Sequence, residues 1–190
     1  MSFFTFDGSF LKLNLSFPPV LGGAAFVLKT FLNSPFADAA VAAMPVEVDK
    51  VPFFVIVVLP IFAWVIAVLA IIVISASSKD GYSNSDPRSQ KGESLKEVSS
   101  VAWRMHCAHN NGLEFVVMAA PCFFTAITLG LESVLFAKLS VTTLICRVLY
   151  TFFYIAGLDP LRTFIFIVAC FATFAIGLAP LFPDLIPLLS

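Results

Sequence analysis

The chain has 190 residues, 59% of them hydrophobic and 12% charged, with a mean hydropathy of +0.98. A water-soluble domain carries roughly 45–50% apolar and about 25% charged residues, so this composition excludes a disordered chain and indicates an integral membrane protein. With a net charge of −1 and a pI near 6.1 there is no basic stripe of the kind nucleic acid requires, and no nucleic-acid partner is expected.

Residues 1–50 carry Lys12, Lys29 and Lys50 and no Arg. Their apolar run, Val20 to Leu32, is interrupted by Gly22, Gly23 and Lys29, which makes it too short and too broken for a clear span. It suits an interfacial helix, a plug over the bundle or a targeting segment. A secretory signal would want a basic start and a longer apolar core, and a transit peptide would want Arg. These residues are therefore set apart as an N-terminal extension of unknown role.

The first clear span is Val51 to Ala76, uncharged and long enough to cross a bilayer with some tilt. Pro60 inside it predicts a kink. Residues 77–98 are polar and rich in Ser, Gly, Asn and Asp, and read as a solvent loop. Ser94 with Glu97 resembles a capping box, and Ser99 and Ser100 offer further N-caps, so a helix should start between 95 and 101. That helix runs to about Gly130. A third span covers about Glu132 to Ala156, Gly157 to Pro160 make a short turn, and a fourth span runs from about Leu161 to Leu181. The expected fold is an all-α integral membrane protein, a four-transmembrane-helix bundle over residues 51–187. The loop side holds Lys79, Arg88, Lys91, Lys96, Arg104 and Arg162, which the positive-inside rule places in the cytosol or its equivalent.

Ionisable groups inside a span are costly and mark functional sites by default. At about 100° per residue, Arg104, Cys107, Asn111 and Glu114 fall within roughly an 80° arc of the second span, and Glu114 lies about 15 Å deeper than Arg104. His109 points to nearly the opposite side. On the third span Arg147, Tyr150 and Tyr154 lie within about 60° of one another. Glu114 and Arg147 are charges at middle depth on consecutive helices, and they are expected to pair, within one chain or across subunits. Arg162 opens the fourth span on the side where Arg104 and Tyr154 emerge. Part of this set could simply hold helices together. The whole set, converging on one half of the bundle, suits an anionic polar ligand held by charge-assisted hydrogen bonds. The four cysteines, Cys107, Cys122, Cys146 and Cys170, form no CxxC pair, signal neither a metal site nor a disulfide framework, and read as buried inert thiols.

Two of these stretches carry a resemblance. Arg104-x-x-x-Ala108-His109-x-Asn111-x-x-Glu114 resembles the signature of the MAPEG family, membrane-associated proteins in eicosanoid and glutathione metabolism. Arg147-Val-Leu-Tyr150-x-x-x-Tyr154, followed by Pro160-Leu161-Arg162-Thr163, resembles the family's third-helix and fourth-helix pattern. The match covers roughly residues 51–180. It implies a homotrimer in the endoplasmic reticulum or another intracellular membrane, with glutathione as co-substrate at the subunit interface and a lipophilic substrate arriving from the bilayer. It implies glutathione-binding roles for Arg104, Asn111, Glu114, Arg147, Tyr150, Tyr154 and Thr163. Arg162 matches the arginine that the family uses near the thiol, which makes it the candidate catalytic residue. Where catalytic members carry an Arg near the loop end of the first helix, this chain offers Lys79. The implied activity is that of a glutathione transferase or peroxidase. The alternative is a non-catalytic binding or accessory subunit of a larger membrane complex on the same fold. A transporter finds little support, since no inverted repeat is present.

Overall fold

The computed structural model describes residues 8–77 and 99–189, with side chains from Pro18 onward. The described residues are helical apart from turns and short links. The N-terminal region forms α1, Gly8–Leu32, and α2, Pro35–Ala42. The four long apolar helices are α3, Val51–Ser77, α4, Ser100–Leu129, α5, Ser133–Ala156, and α6, Asp159–Leu178. A short helix α7, Ile186–Leu189, ends the described chain. All four of α3 to α6 are long and apolar enough to cross a membrane.

The helix ends follow from local chemistry. Ser99 caps α4, its side chain accepting from the Ala102 backbone N–H at 3.3 Å. Glu132 caps α5 and accepts from the backbone N–H groups of Val134 and Leu135 at 2.9 and 2.7 Å. Gly157 ends α5 with a φ of +75°, a left-handed conformation that glycine adopts without strain. Pro160 then sits in the first turn of α6, where its missing N–H costs nothing. The expected capping box at Ser94 and Glu97, and Lys79, lie outside the described residues. The α3 helix continues unbroken through Pro60.

The helices pack in consecutive pairs, α3 on α4 and α5 on α6, with α4 also lying against α5 and α6. Small residues let them approach. At the α3–α4 crossing a Cβ on Gly112 would lie 2.9 Å from Ala63 Cβ, so this contact admits only glycine. Beside it, His109 Nδ1 lies 2.9 Å from the Ala63 carbonyl, which gives that histidine the environment apart from the polar stripe that its helical position demanded. Hydroxyls buried in α5 are satisfied within their own helix. Ser140, Thr143 and Thr151 each donate to the carbonyl four residues back, so none is left unpaired in an apolar medium.

The main core lies toward the end of the bundle where α3 begins and α4 ends. There Val51, Val55, Phe123, Leu139 and Ile176 are fully buried. Toward the opposite end the apolar clusters shrink to Ile66, Ala70, Met105 and Ala108, then to Ile74 and Ala102. The bundle is thus densely filled in one half and leaves room for a polar cavity in the other.

The sequence left the role of residues 1–50 open, and their described part is helical and packed on the bundle. Val20 to Leu32 forms part of a 25-residue helix despite Gly22 and Gly23. Ala24, Leu28 and Leu32, spaced by one turn, are buried on α6 and its surroundings and join the main core. Tertiary burial, which outweighs intrinsic propensity in folded helices, accounts for this. Segments Pro18–Leu32 and Pro35–Ala42 meet at a 65° bend and together qualify by length and composition as a broken span or re-entrant loop. The bend is tied down: Lys138 on α5 pairs with Asp38 at 2.7 Å and donates to the Leu32 carbonyl at 3.2 Å. Asn33 Nδ2 donates to the Leu189 carbonyl at 3.0 Å.

Candidate functional site

Helices α4, α5 and α6 line an open cavity of about 450 Å³ in the less densely packed half of the bundle. Its lining combines Asn111 and Glu114 from α4, Tyr150 and Tyr154 from α5, and Arg162, Thr163 and Phe166 from α6, together with Cys107 and Asn110. The volume falls within the usual range for small-molecule sites, about 300–1,000 Å³. A hollow of similar size, about 480 Å³, lies along Pro60, Ile61, Trp64, Val65, Val68 and Leu69 of α3, but offers almost no polar group to orient a ligand. Its residues are the outward face of a membrane helix.

Arg147 stands behind the polar cavity. It is only 3% exposed. Its Nη2 donates to Asn111 Oδ1 at 3.0 Å, while its guanidinium lies 4.4 Å from the ring centres of both Phe115 and Tyr150 and 5.7 Å from that of Phe166. Stacking of a desolvated cation on aromatic faces contributes about 2 kcal/mol, well below what removing a charge from water costs. Its Nη1 has no hydrogen-bond partner among the described residues. The expected Glu114–Arg147 pair does not form within one chain. Glu114 is exposed and lines the cavity, and Asn111, one turn earlier, takes the arginine instead. The side chain that reaches Arg147 is neutral, so the buried cation lacks a carboxylate among the described residues.

Arg162, at the cavity rim on the first turns of α6, lies 4.3 Å over the ring of Tyr154. It also reaches Asp159, three residues earlier, at 3.4 Å. Asp159 is largely exposed, and such a pair contributes little and exchanges readily. Thr163 Oγ1 donates to the Asp159 carbonyl at 3.0 Å, which leaves its oxygen free to accept. Tyr150 and Tyr154 meet edge to face at 5.6 Å, and Tyr150 meets Phe166 at the same separation.

Of the residues singled out in the sequence, Asn111, Glu114, Tyr150, Tyr154, Arg162 and Thr163 line the cavity and Arg147 backs it through Asn111. Arg104 does not line it. Its guanidinium lies against the α5–α6 turn, with Nη1 3.2 Å from where a Cβ on Gly157 would stand and Nε buried without a partner among the described residues. Cys107, Asn110 and Phe166 are additional. Cys107 shares the arc of Asn111 and Glu114, so the helical period had marked it, but its apolar neighbours suggested an inert thiol. It is half-buried and faces the cavity.

This arrangement defines a class: a membrane helical bundle with a polar, arginine-backed cavity between its helices. The MAPEG family model matches residues 53–182, and the chain belongs to that family, which includes glutathione transferases and enzymes of eicosanoid metabolism. Neither a curated protein nor a solved structure matches the chain.

Proposed function

We propose that the protein is a glutathione-dependent membrane transferase or peroxidase acting on a lipophilic electrophile. One observation carries this reading. A buried arginine, Arg147, stands without a counter-charge among the described residues, behind a polar cavity in a MAPEG chain. Glutathione brings two carboxylates, one ammonium and one thiol. A carboxylate would supply the counter-charge that Arg147 lacks among the described residues. Asn111 and Glu114 would hold the peptide, Glu114 serving the ammonium, and Tyr150, Tyr154 and Thr163 would contact the rest. Arg104 contributes from behind the α5–α6 turn, by fixing the start of α6.

Arg162 would serve the sulfur. A free thiol with a pKa near 8.5 is mostly protonated at about pH 7, and only the thiolate is a good nucleophile. The guanidinium and the positive end of the α6 dipole both favour the thiolate. The lipophilic substrate would reach it from the bilayer. The exposure of Glu114 in a single chain supports a homotrimer in which a neighbouring subunit closes the outer wall of the cavity. The membrane would be that of the endoplasmic reticulum or another intracellular compartment.

A second reading, a non-catalytic binding or accessory subunit of a larger membrane complex, is favoured by one contact. Asp159 already offers Arg162 a carboxylate, which would compete with a thiolate. The two readings separate in one pair of assays on protein purified in detergent: thermal stability with and without glutathione, then conjugation of a generic electrophile. A ligand at about 100 times its Kd stabilises the native state by about 2.7 kcal/mol. Stabilisation with turnover supports the enzyme, stabilisation without turnover supports the accessory subunit, and no stabilisation overturns the enzyme reading.

A further inference from the structure

Another concave surface lies apart from the polar cavity, in the half of the bundle that holds the main core. It is a groove of about 290 Å³ between α1 and α6, with α7 and the turn before it completing the wall. Ala25 and Leu28 of α1, Phe171, Phe174 and Leu178 of α6, and Leu188 of α7 make it apolar. The volume sits at the lower edge of the usual small-molecule range, about 300–1,000 Å³, and suits a single hydrocarbon chain. Asn33 ties the ends of α1 and α7 together, its Nδ2 donating to the Lys29 carbonyl at 2.9 Å and the Leu189 carbonyl at 3.0 Å. Both α1 and α7 lie outside the matched residues 53–182, so the groove forms where the family segment meets its flanking residues. Among the lining residues Lys29 alone carries a charge, and it is exposed. Charges in a membrane segment are costly and usually paired. At the same end of the bundle Lys138 pairs with Asp38 at 2.7 Å and Lys50 with Glu47 at 2.6 Å. Lys29 has no ion pair among the described residues.

We propose that this groove binds one anionic glycerophospholipid of the bilayer, with an acyl chain between α1 and α6 and the headgroup phosphate on Lys29. The site is separate from the polar cavity and does not depend on the glutathione reading. Two parts of the groove do different work. The apolar walls bury the chain and give affinity for any lipid of suitable shape. The lysine chooses among headgroups, because its stem follows the apolar wall while its ammonium reaches the membrane surface. Phosphatidylglycerol carries one net negative charge, which one lysine neutralises. Phosphatidylcholine carries its own quaternary ammonium and has no net charge to offer. A single lysine near the membrane surface favours the anionic lipid on the order of fivefold. The bound lipid touches α1, α6 and α7 at once. It therefore holds both flanking segments against the bundle and stabilises the native state, as any ligand of that state does.

The test uses the full chain, delipidated in detergent. Native mass spectrometry follows binding of phosphatidylglycerol and phosphatidylcholine with matched acyl chains, and of oleate as a single-chain probe. The unfolding midpoint is read with each. The expected result is one preferred phosphatidylglycerol per chain, bound on the order of fivefold more tightly than phosphatidylcholine, with a raised midpoint. Lys29→Gln should bind the two phospholipids alike, and Lys29→Arg should keep the preference. Lys50→Gln, which removes a cation already paired at the same end of the bundle, should leave the preference as it was. Ala25→Phe fills the groove from an exposed position and should weaken both phospholipids, with helix content by circular dichroism checking that the variant folds. Equal binding of the two phospholipids to the starting protein overturns the inference. So does a preference that survives Lys29→Gln, unchanged binding in folded Ala25→Phe, or tight binding of oleate with no preferred phospholipid.

Discussion

A buried arginine held by an asparagine is the residue-scale feature on which the account turns. Arg147 keeps one neutral hydrogen bond and three aromatic faces, and no carboxylate among the described residues cancels its charge. Asn111→Ala would remove that bond and leave a second buried nitrogen unsatisfied. The expected cost is about 1–3 kcal/mol, read as a lower unfolding midpoint in detergent. Glu114→Gln should behave differently. Glu114 is exposed and pairs with no cation among the described residues, so its loss should stay within about 0.5 kcal/mol of the starting stability while glutathione binding weakens. A large loss of stability in Glu114→Gln would mean that the carboxylate has a structural partner after all. This contrast also marks how far the sequence was legible at this scale. The helical period correctly put Asn111, Glu114 and Cys107 on one face. It says nothing of which rung on that face meets a neighbouring helix, so the formal charges suggested Glu114 as the partner. Packing decided for Asn111, where Phe115 and Tyr150 hold the guanidinium. The same limit applies to Cys107, since a period gives direction and cannot tell a filled interface from a cavity.

At the scale of elements, the four spans and their turns were readable because hydropathy and turn chemistry act locally. The Gly157–Pro160 turn, the Ser99 cap and the run from Val51 each have a nearby cause. The α1 helix was not readable in this way, because the residues that justify it are on α6 and the C-terminal turn. Only the spacing of Ala24, Leu28 and Leu32 hinted at a buried face. The α3–α4 crossing gives the sharpest test here. Gly112→Val would drive a side chain into Ala63, whose Cβ is fixed to the helix backbone and cannot swing away. Overpacking of this kind costs about 1–3 kcal/mol. The shift would also disturb His109 against the Ala63 carbonyl and, through α4, the Asn111 rung of the cavity. Both the unfolding midpoint and glutathione affinity should fall. The double variant Gly112→Val with Ala63→Gly should recover part of each, because the space removed on one helix is returned on the other. Unaltered stability in Gly112→Val would show that the helices are not in this contact.

For the whole molecule, asymmetry of packing links fold to chemistry. One half of the bundle is a filled apolar core, closed further by α1, α2 and the latch at Lys138. The other half, where α5 and α6 meet, holds the cavity with its arginines and tyrosines. With Glu114 exposed at that cavity, the site should be completed by a second subunit, and a trimer is expected by light scattering in mild detergent. A monomer that binds glutathione with full affinity would contradict this. The central claim is that the cavity binds glutathione and that Arg162 holds its sulfur as a thiolate. The most direct measurement is the ultraviolet thiolate absorbance of protein-bound glutathione across pH, in the starting protein and in Arg162→Leu. The account predicts a thiolate already formed at about pH 7 in the starting protein, because a positive charge beside the sulfur lowers its pKa. In Arg162→Leu the titration should move up toward the free value near 8.5. A bound thiol that titrates identically in both proteins, or forms no thiolate in either until the free thiol does, would contradict it.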